Sequence, residues 1–222
     1  MTPIDQGTIN YRDEVVRKLI HLCSLSIPIL YYFIPHTDSI IILSIITAFA
    51  IFLDLSRHFN PDFGKFFYKF FGFLLRRHEV DNKKKNFNGA TYVFISALIC
   101  AIIFPKVFFI TAFTILIVSD SMAALIGRKF GKHKFLSKSL EGTIAFFISA
   151  CLVIMFTPKI SGLAIEYYIG IIASAVGAIV ENISFGFADD NLSIPISVGL
   201  TMWVLYILLM PGVPLVLPHS SF

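Results

Sequence analysis

Seven long apolar runs, joined by short polar connections, constrain this chain to a membrane-spanning fold. In the whole chain 56% of residues are hydrophobic and 14% are charged, whereas a soluble domain has about 45–50% and about 25%. The chain therefore has too few polar residues to cover a water-soluble domain, and its 24 phenylalanines exclude a disordered one. The apolar runs are residues 19–34, 39–53, 89–104, 107–126, 143–156, 167–180 and 194–210.

The runs are predicted to be helices, because a backbone in hydrocarbon must satisfy its own hydrogen bonds. A β-barrel would show alternating segments of about ten residues instead. Several runs are shorter than a spanning helix, so we extend them through polar residues that face the bundle, among them Asp54, Glu141 and Glu181. The expected fold is an all-α polytopic membrane bundle of about seven transmembrane helices, forming one integral membrane domain over residues 1–222.

The distribution of basic residues predicts the orientation of this bundle. Successive connections between the runs lie on alternate sides of the membrane. With this assignment, 16 Lys and Arg residues fall on one side of the membrane, and Lys106 and Lys159 fall on the other. The positive-inside rule places the basic side and the N-terminus in the cytoplasm and the C-terminus outside, in a bacterial inner membrane or an equivalent endomembrane. Since topology explains the net charge of +4, we expect no nucleic-acid partner.

An amphipathic segment, residues 60–78, lies between the second and third runs. Asn60 and Pro61 are typical of a helix cap and a first helical residue. Apolar residues such as Phe63 and Phe66 fall on one helical face, and Lys65 and Lys69 fall opposite. This pattern predicts a cytoplasmic interfacial helix contacting membrane lipids, although a helix packed on the bundle would show the same pattern.

Asp120 is the clearest candidate for function, because ionisable groups inside membrane runs are costly and are usually functional. Ala123, Ala124 and Gly127 share its helical face, which leaves room for a ligand or for a close helix contact. The alternative is a structural ion pair with a buried Arg or Lys.

A basic, glycine-containing loop, residues 127–141, follows Asp120 directly. Cations and unobstructed glycine amides suit a polyphosphate, and Glu141 begins the next span. The alternative is a solvated loop whose charges only set the orientation. The candidate nucleotide-binding residues are Arg128, Lys129, Lys132, Lys138 and Glu141.

A second acidic group consists of Glu181, Asp189 and Asp190, at the same predicted boundary as Asp120. Mg²⁺ favours one or two carboxylates together with substrate phosphates, so this group suits a metal–nucleotide site. The alternative for Asp189 and Asp190 is a turn or a helix cap. The sequence has no Walker pattern, GxGxxG, HExxH or Ser-His-Asp order.

The sequence resembles the dolichol, phytol and CTP-dependent diacylglycerol kinases, which are related to phosphatidate cytidylyltransferases. The resemblance is carried by SDSMAALIGRKFGK at residues 119–132, KSLEGT at 138–143, EVVRKLIH at 14–21, and Glu181 with DDNLSIP at 189–195. It implies a membrane kinase that transfers the terminal phosphate of a nucleotide triphosphate, CTP by resemblance. The acceptor would be a lipid alcohol of the phytol, polyprenol or dolichol type, or diacylglycerol.

The resemblance also implies roles for the candidate residues. Asp120, with Asp189 or Asp190, would hold Mg²⁺, and either Asp120 or Glu181 would accept the alcohol proton. Arg128, Lys129, Lys132 and Lys138 would contact phosphate oxygens, with Glu141 ordering the loop or sharing the metal.

Two other functions stay open at this point. A phosphatidate cytidylyltransferase shares the central motif, although its His-Gly-Gly closing motif is absent from this sequence. A small transporter or lipid-binding protein without chemistry is the second alternative. For Lys18 and His21, contact with a substrate phosphate and a structural role are both open.

Overall fold

The computed structural model describes residues 10–71, 87–184 and 189–217, and within these ranges the chain is almost entirely helical. A small antiparallel hairpin, β1 (Lys134–Phe135) and β2 (Lys138–Ser139), is the one sheet in the described part. The helices are α1 (Tyr11–Cys23), α2 (Ser26–Phe33), α3 (His36–Phe59), α4 (Pro61–Phe71), α5 (Gly89–Ile103), α6 (Lys106–Phe130), α7 (Leu140–Phe156), α8 (Ala164–Ile183) and α9 (Asp190–Leu209).

Five of the helical segments are long and apolar enough to cross a membrane. The shorter helices α5 and α7 are also apolar. The prediction of an all-α polytopic membrane bundle is therefore confirmed. The five segments are Tyr11–Phe33, His36–Arg57, Lys106–Phe130, Ala164–Ile183 and Asp190–Leu209.

The first span begins earlier than its apolar run and is interrupted in the middle. Its helical part starts at Tyr11, because the polar residues before residue 19 find partners in the bundle, as described below. Between α1 and α2, Pro28 has no N–H to bond the Ser24 carbonyl, and the Ile27 N–H bonds that carbonyl instead at 2.9 Å. This tighter turn separates α1 from α2.

Helix α6 is the centre of the bundle, with 67% of its spanning window buried against 17–44% for the other four long spans. It packs against α1, α2, α7 and α9. Near its start, the Phe109 ring stacks on Phe113, and the Phe108 ring contacts Tyr206 of α9 edge-on. The residues that α6 carries are therefore presented to several helices at once.

Helix α8 approaches its two neighbours closely through glycines. A Cβ on Gly170 would lie 2.6 Å from Ile154 Cδ1 of α7, and one on Gly177 would lie 2.8 Å from Val198 Cγ2 of α9. Small residues at such contacts let helices pack tightly in membranes. This packing fixes the end of α8 against the hairpin.

Helix α4 begins where the sequence predicts. Asn60 Oδ1 accepts hydrogen bonds from the Asp62 and Phe63 amides at 3.0 and 3.2 Å, and Pro61 is the first helical residue. The helix packs against α3, with Lys65 and Lys69 exposed. Residues 72–78 of the predicted segment lie outside the described residues, and the membrane-interface location of α4 stays a prediction.

Candidate functional site

The end of the bundle that carries the hairpin is here called the basic end. A buried ion pair joins α1 to α6 near this end. Lys18 Nζ lies 2.5 Å from Asp120 Oδ2, and the two side chains are 3% and 8% exposed. His21, almost one turn further along α1, places Nε2 3.8 Å from the same carboxylate oxygen. Asp120 is therefore paired with a buried lysine, as the structural alternative proposed, and it also faces a histidine.

One turn nearer to the basic end, Glu14 binds two cations. It accepts a hydrogen bond from Arg17 on its own helix, and its Oε2 lies 3.0 Å from Arg128 Nη1 at the end of α6. Both Glu14 and Arg128 are nearly buried. In this state the Arg128 guanidinium is thus bound to Glu14 and helps to fasten α1 on α6.

The hairpin turns back tightly after α6. Gly131 lies against the helix it follows, and a Cβ there would come within 2.3 Å of the Gly127 carbonyl oxygen and 2.7 Å of Ser139 Cβ. Ser139 then begins α7, its Oγ accepting a hydrogen bond from the Gly142 amide at 3.3 Å. Only glycine fits at position 131, and this tight turn brings β2 close to α8.

Lys138 of β2 lies between two carboxylates. Its Nζ is 2.6 Å from Glu181 Oε1 and 3.3 Å from Asp190 Oδ2, and Ser184 Oγ donates to the other Asp190 oxygen. Burial lowers the pKa of Lys138, but the charges of Asp190, Glu181 and Asp120 outweigh burial and hold this pKa above the usual lysine range. Asp120 is thus among the charges that raise this pKa, which indicates that the Lys18–Asp120 pair lies at the same end of the bundle as the group of Lys138, Glu181 and Asp190.

The remaining candidates of the basic loop, Lys129, Lys132 and Glu141, lie outside the two ion-pair groups. Lys132 is exposed, and the exposed Lys129 contacts the ring of neighbouring Phe130. Glu141 accepts hydrogen bonds from the ring and the backbone N–H of His133, with the ring nitrogen at 2.7 Å. Glu141 therefore contacts the residue just before the hairpin, and its role in ordering this loop or in sharing the metal stays a prediction.

Asp189 and Asp190 have different surroundings. Asp189 Oδ1 accepts from the backbone and the side-chain nitrogens of Asn191 at 2.9 and 2.7 Å, which caps the start of α9. Asp190 instead reaches Lys138. Of the two aspartates offered as metal ligands, Asp190 is the one that the fold brings next to Lys138 and Glu181.

The chemistry of the site fits a metal ion that is bound mainly by a nucleotide. Within the described ranges no three His, Cys, Asp or Glu side chains come together as a metal cage. Glu181 and Asp190 do share one cation, the Lys138 ammonium. Two neighbouring carboxylates are what Mg²⁺ takes from a protein when phosphates supply its other ligands.

An apolar cavity of about 810 Å³ lies between α2, α6 and α7. Its Thr114 and Ser149 hydroxyls donate to carbonyls of their own helices at 2.7 Å, so they do not offer these protons to a ligand. Met122 lines the cavity two residues after Asp120, which is about 200° round the helix. The cavity therefore lies on the other side of α6 from the ion pairs.

A further buried carboxylate, Glu166, lies at the opposite end of α8. It accepts hydrogen bonds from Tyr206 Oη at 2.7 Å and from the backbone amides of Ile160, Ser161 and Leu163. These donors fasten the connection between α7 and α8. We interpret Glu166 as a structural residue.

Sequence reasoning identified residues 14–21 through the resemblance and left the role of Lys18 open, but it did not predict that Lys18 and Glu14 pair with Asp120 and Arg128 of α6. One available signal was spacing, since Glu14, Lys18 and His21 lie four and three residues apart and so share one helical face. Their common partner on α6 could not be read from the sequence.

Comparison with known proteins identifies relatives of this chain. It is 33% identical to an uncharacterized protein of Rickettsia prowazekii, RP860, over 86% of the chain and 93% of that protein. It is 27% identical to CTP-dependent diacylglycerol kinase 1 of Saccharomyces cerevisiae, over 88% of the chain and 74% of that kinase. A 90-residue stretch is 39% identical to dolichol kinase sec59 of Schizosaccharomyces pombe and covers 39% of the chain and 17% of that kinase. No family model and no solved structure matches the chain.

Proposed function

We propose that this chain, which belongs to the membrane lipid kinase family of dolichol kinase and CTP-dependent diacylglycerol kinase, transfers the terminal phosphate of CTP to the hydroxyl group of a long-chain lipid alcohol. The acceptor is an isoprenoid alcohol of the phytol, polyprenol or dolichol type, or diacylglycerol. The family relationship supports a membrane phosphotransferase, and the lipid and the donor are the proposal.

The observation that carries this proposal is the meeting of two ion-pair groups at the basic end. Lys18 with Asp120, and Lys138 with Glu181 and Asp190, are contributed by distant parts of the chain. Phosphoryl transfer depends mainly on holding the reactants in line and on neutralising phosphate charge. A site built from paired, pre-positioned charges beside apolar spans suits a charged donor and a membrane-bound acceptor.

In the proposed reaction, the lipid oxygen forms a bond to the terminal phosphorus, and the bond from that phosphorus to the leaving nucleoside diphosphate breaks. We assign the hydroxyl proton to Asp120, because Glu181 is assigned to the metal ion below, together with Asp190. Lys18 and Lys138 stabilise the charge on the transferred group, and the exposed Lys129 and Lys132 contact outer phosphate oxygens. Arg128 holds α1 in place through Glu14.

Mg²⁺, when bound, would neutralise part of the triphosphate charge. Glu181 and Asp190 would hold it, because they are neighbours and both already face a cation. Asp189, which caps α9, would help to hold the metal ion indirectly, by fixing the backbone position of Asp190. We place the basic end in the cytoplasm, because nucleotides are supplied there and the Lys and Arg residues are concentrated there.

The test is turnover by purified protein with radiolabelled CTP or ATP against phytol, polyprenols, diacylglycerol and phosphatidate, the last being the acceptor that a cytidylyltransferase needs. We expect labelled lipid phosphate from CTP and its loss in Asp120→Asn. Near wild-type turnover by Asp120→Asn would contradict the role of Asp120. Release of pyrophosphate would indicate cytidylyl transfer instead, and absence of nucleotide turnover with any lipid would favour the transporter or lipid-binding alternative.

A further inference from the structure

Asn182 is a fully buried amide at the end of α8, next to Glu181. Its Oδ1 accepts hydrogen bonds from the backbone amides of Ser137 and Lys138 at 2.8 and 3.1 Å. Its Nδ2 donates to Thr143 Oγ1 at 2.6 Å. One side chain therefore connects α8, the hairpin and the first turn of α7.

Lys138 is consequently held at both of its ends by adjacent residues of α8. Glu181 binds its ammonium group at 2.6 Å, and Asn182 binds its backbone nitrogen at 3.1 Å. A lysine side chain has many rotamers, and ordering it costs conformational entropy. With both ends fixed, that cost is met when the protein folds and does not recur when the nucleotide binds.

The contacts of Thr143 complete this arrangement. Its hydroxyl accepts from Asn182 and donates to the Ser139 carbonyl at 3.1 Å. The backbone of residues 137–139 is thus bound from α8 and from α7. The Asn182 contacts add to the hairpin's own short pairing, which joins two residue pairs.

We propose that Asn182 is a positioning residue that acts through Lys138, keeping its ammonium where the transferred phosphate develops charge. This proposal rests on the kinase function proposed above. Asn182 does not contact the reacting atoms. Its effect is on the rate of phosphoryl transfer, because a misplaced charge stabilises the transition state less well.

The test compares Asn182→Leu, which is of similar size but has no hydrogen-bonding groups, with Asn182→Asp, which keeps an acceptor for the two amides. Thr143→Ser is the matched control, since it keeps the hydroxyl that accepts from Asn182 Nδ2 and donates to the Ser139 carbonyl, and removes only a methyl group. In steady-state assays we expect Asn182→Leu to lower kcat by roughly 10- to 100-fold with a smaller change in the KM for CTP. Asn182→Asp should recover much of that loss, and Thr143→Ser should stay close to wild type.

A double-mutant cycle with Lys138→Met separates positioning from general destabilisation. If Asn182 acts through Lys138, the combined Asn182→Leu, Lys138→Met protein is no slower than Lys138→Met alone. Independent, multiplicative losses would overturn the proposal, as would equal losses in Asn182→Leu and Asn182→Asp.

Hydrogen–deuterium exchange provides a readout that does not need activity. We expect faster amide exchange in residues 131–139 of Asn182→Leu, and wild-type exchange in Thr143→Ser. Unchanged exchange in Asn182→Leu would remove the positioning role. If the wild-type protein phosphorylates no lipid while this exchange pattern holds, then the kinase proposal fails and the structural contact of Asn182 stands.

Discussion

Replacing Lys18 by Met tests whether the buried pair with Asp120 holds the first helix in place. Methionine keeps the length and the apolar stem of lysine but removes the charge. The substitution leaves the Asp120 carboxylate, 8% exposed, without the ammonium that lies 2.5 Å away. Breaking one side of a buried ion pair costs about 3–5 kcal/mol, because the remaining charge is uncompensated.

For a chain of this size, 1 kcal/mol corresponds to about 2–4 °C in the unfolding midpoint. Lys18→Met is therefore expected to lower the Tm in detergent by roughly 6–20 °C. The control is Lys65→Met, the same chemical change in an exposed pair with Asp62, where the two side chains are 80% and 91% exposed. We expect no measurable change of Tm in the control, because exposed ion pairs contribute little.

The double variant Lys18→Met, Asp120→Asn separates stability from activity. It removes both charges, so its Tm is expected to lie above that of either single variant. Its phosphotransfer activity should stay absent, since Asp120 is the proposed proton acceptor. A Tm for Lys18→Met within about 2 °C of wild type, or strictly additive losses in the double variant, would refute the coupling of these two residues.

Three further substitutions test other parts of the structure. Gly131→Ala should unfold the hairpin or abolish activity, because the added Cβ would lie 2.3 Å from the Gly127 carbonyl oxygen. Thermal unfolding and CTP turnover measure these two effects, and wild-type values of both would contradict the tight turn. Glu166→Gln replaces a buried carboxylate that accepts from Tyr206 and three amides, so it should destabilise the protein by about 1–3 kcal/mol with unchanged turnover per folded molecule. Lys132→Ala changes an exposed residue, so we expect unchanged Tm and a KM for CTP raised roughly three- to tenfold; an unchanged KM would return Lys132 to a role in topology only.

The spans could be predicted because apolar runs report burial in lipid directly, and the helix caps at Asn60 and Asn88 follow from local chemistry. Asn88 Oδ1 accepts from the Thr91 amide at 2.9 Å at the start of α5, as its position before a run suggests. The start of the first span could not be predicted. Arg17 and Lys18 lower the local hydropathy, and the contacts that make this segment compatible with burial, Lys18 with Asp120 and Glu14 with Arg128, run to another helix.

The candidate site shows a similar division between local and long-range information. Asp120 stands out as a charge inside an apolar run, and Lys138 and Glu181 stand out as charges in the polar segments beside such runs. Their pairing depends on the order of helices around α6, which no local pattern specifies. Asp189 and Asp190 have different surroundings because α9 begins between them, so that Asp189 caps the helix and Asp190 faces Lys138. The sequence alone does not distinguish these two adjacent aspartates.

The charge balance of the site indicates how a nucleotide is accommodated. Among the described residues, the two ion-pair groups and the Glu14 cluster contain as many carboxylates as cations, so they are formally neutral before a nucleotide arrives. A triphosphate brings several negative charges, and in a poorly solvated site these require compensation. Under the proposed function, the exposed lysines of the hairpin and a divalent cation shared by the carboxylates would supply it, so that the paired residues provide geometry and the additional cations provide affinity. The paired residues are Glu14, Arg17, Lys18, Asp120, Arg128, Lys138, Glu181 and Asp190.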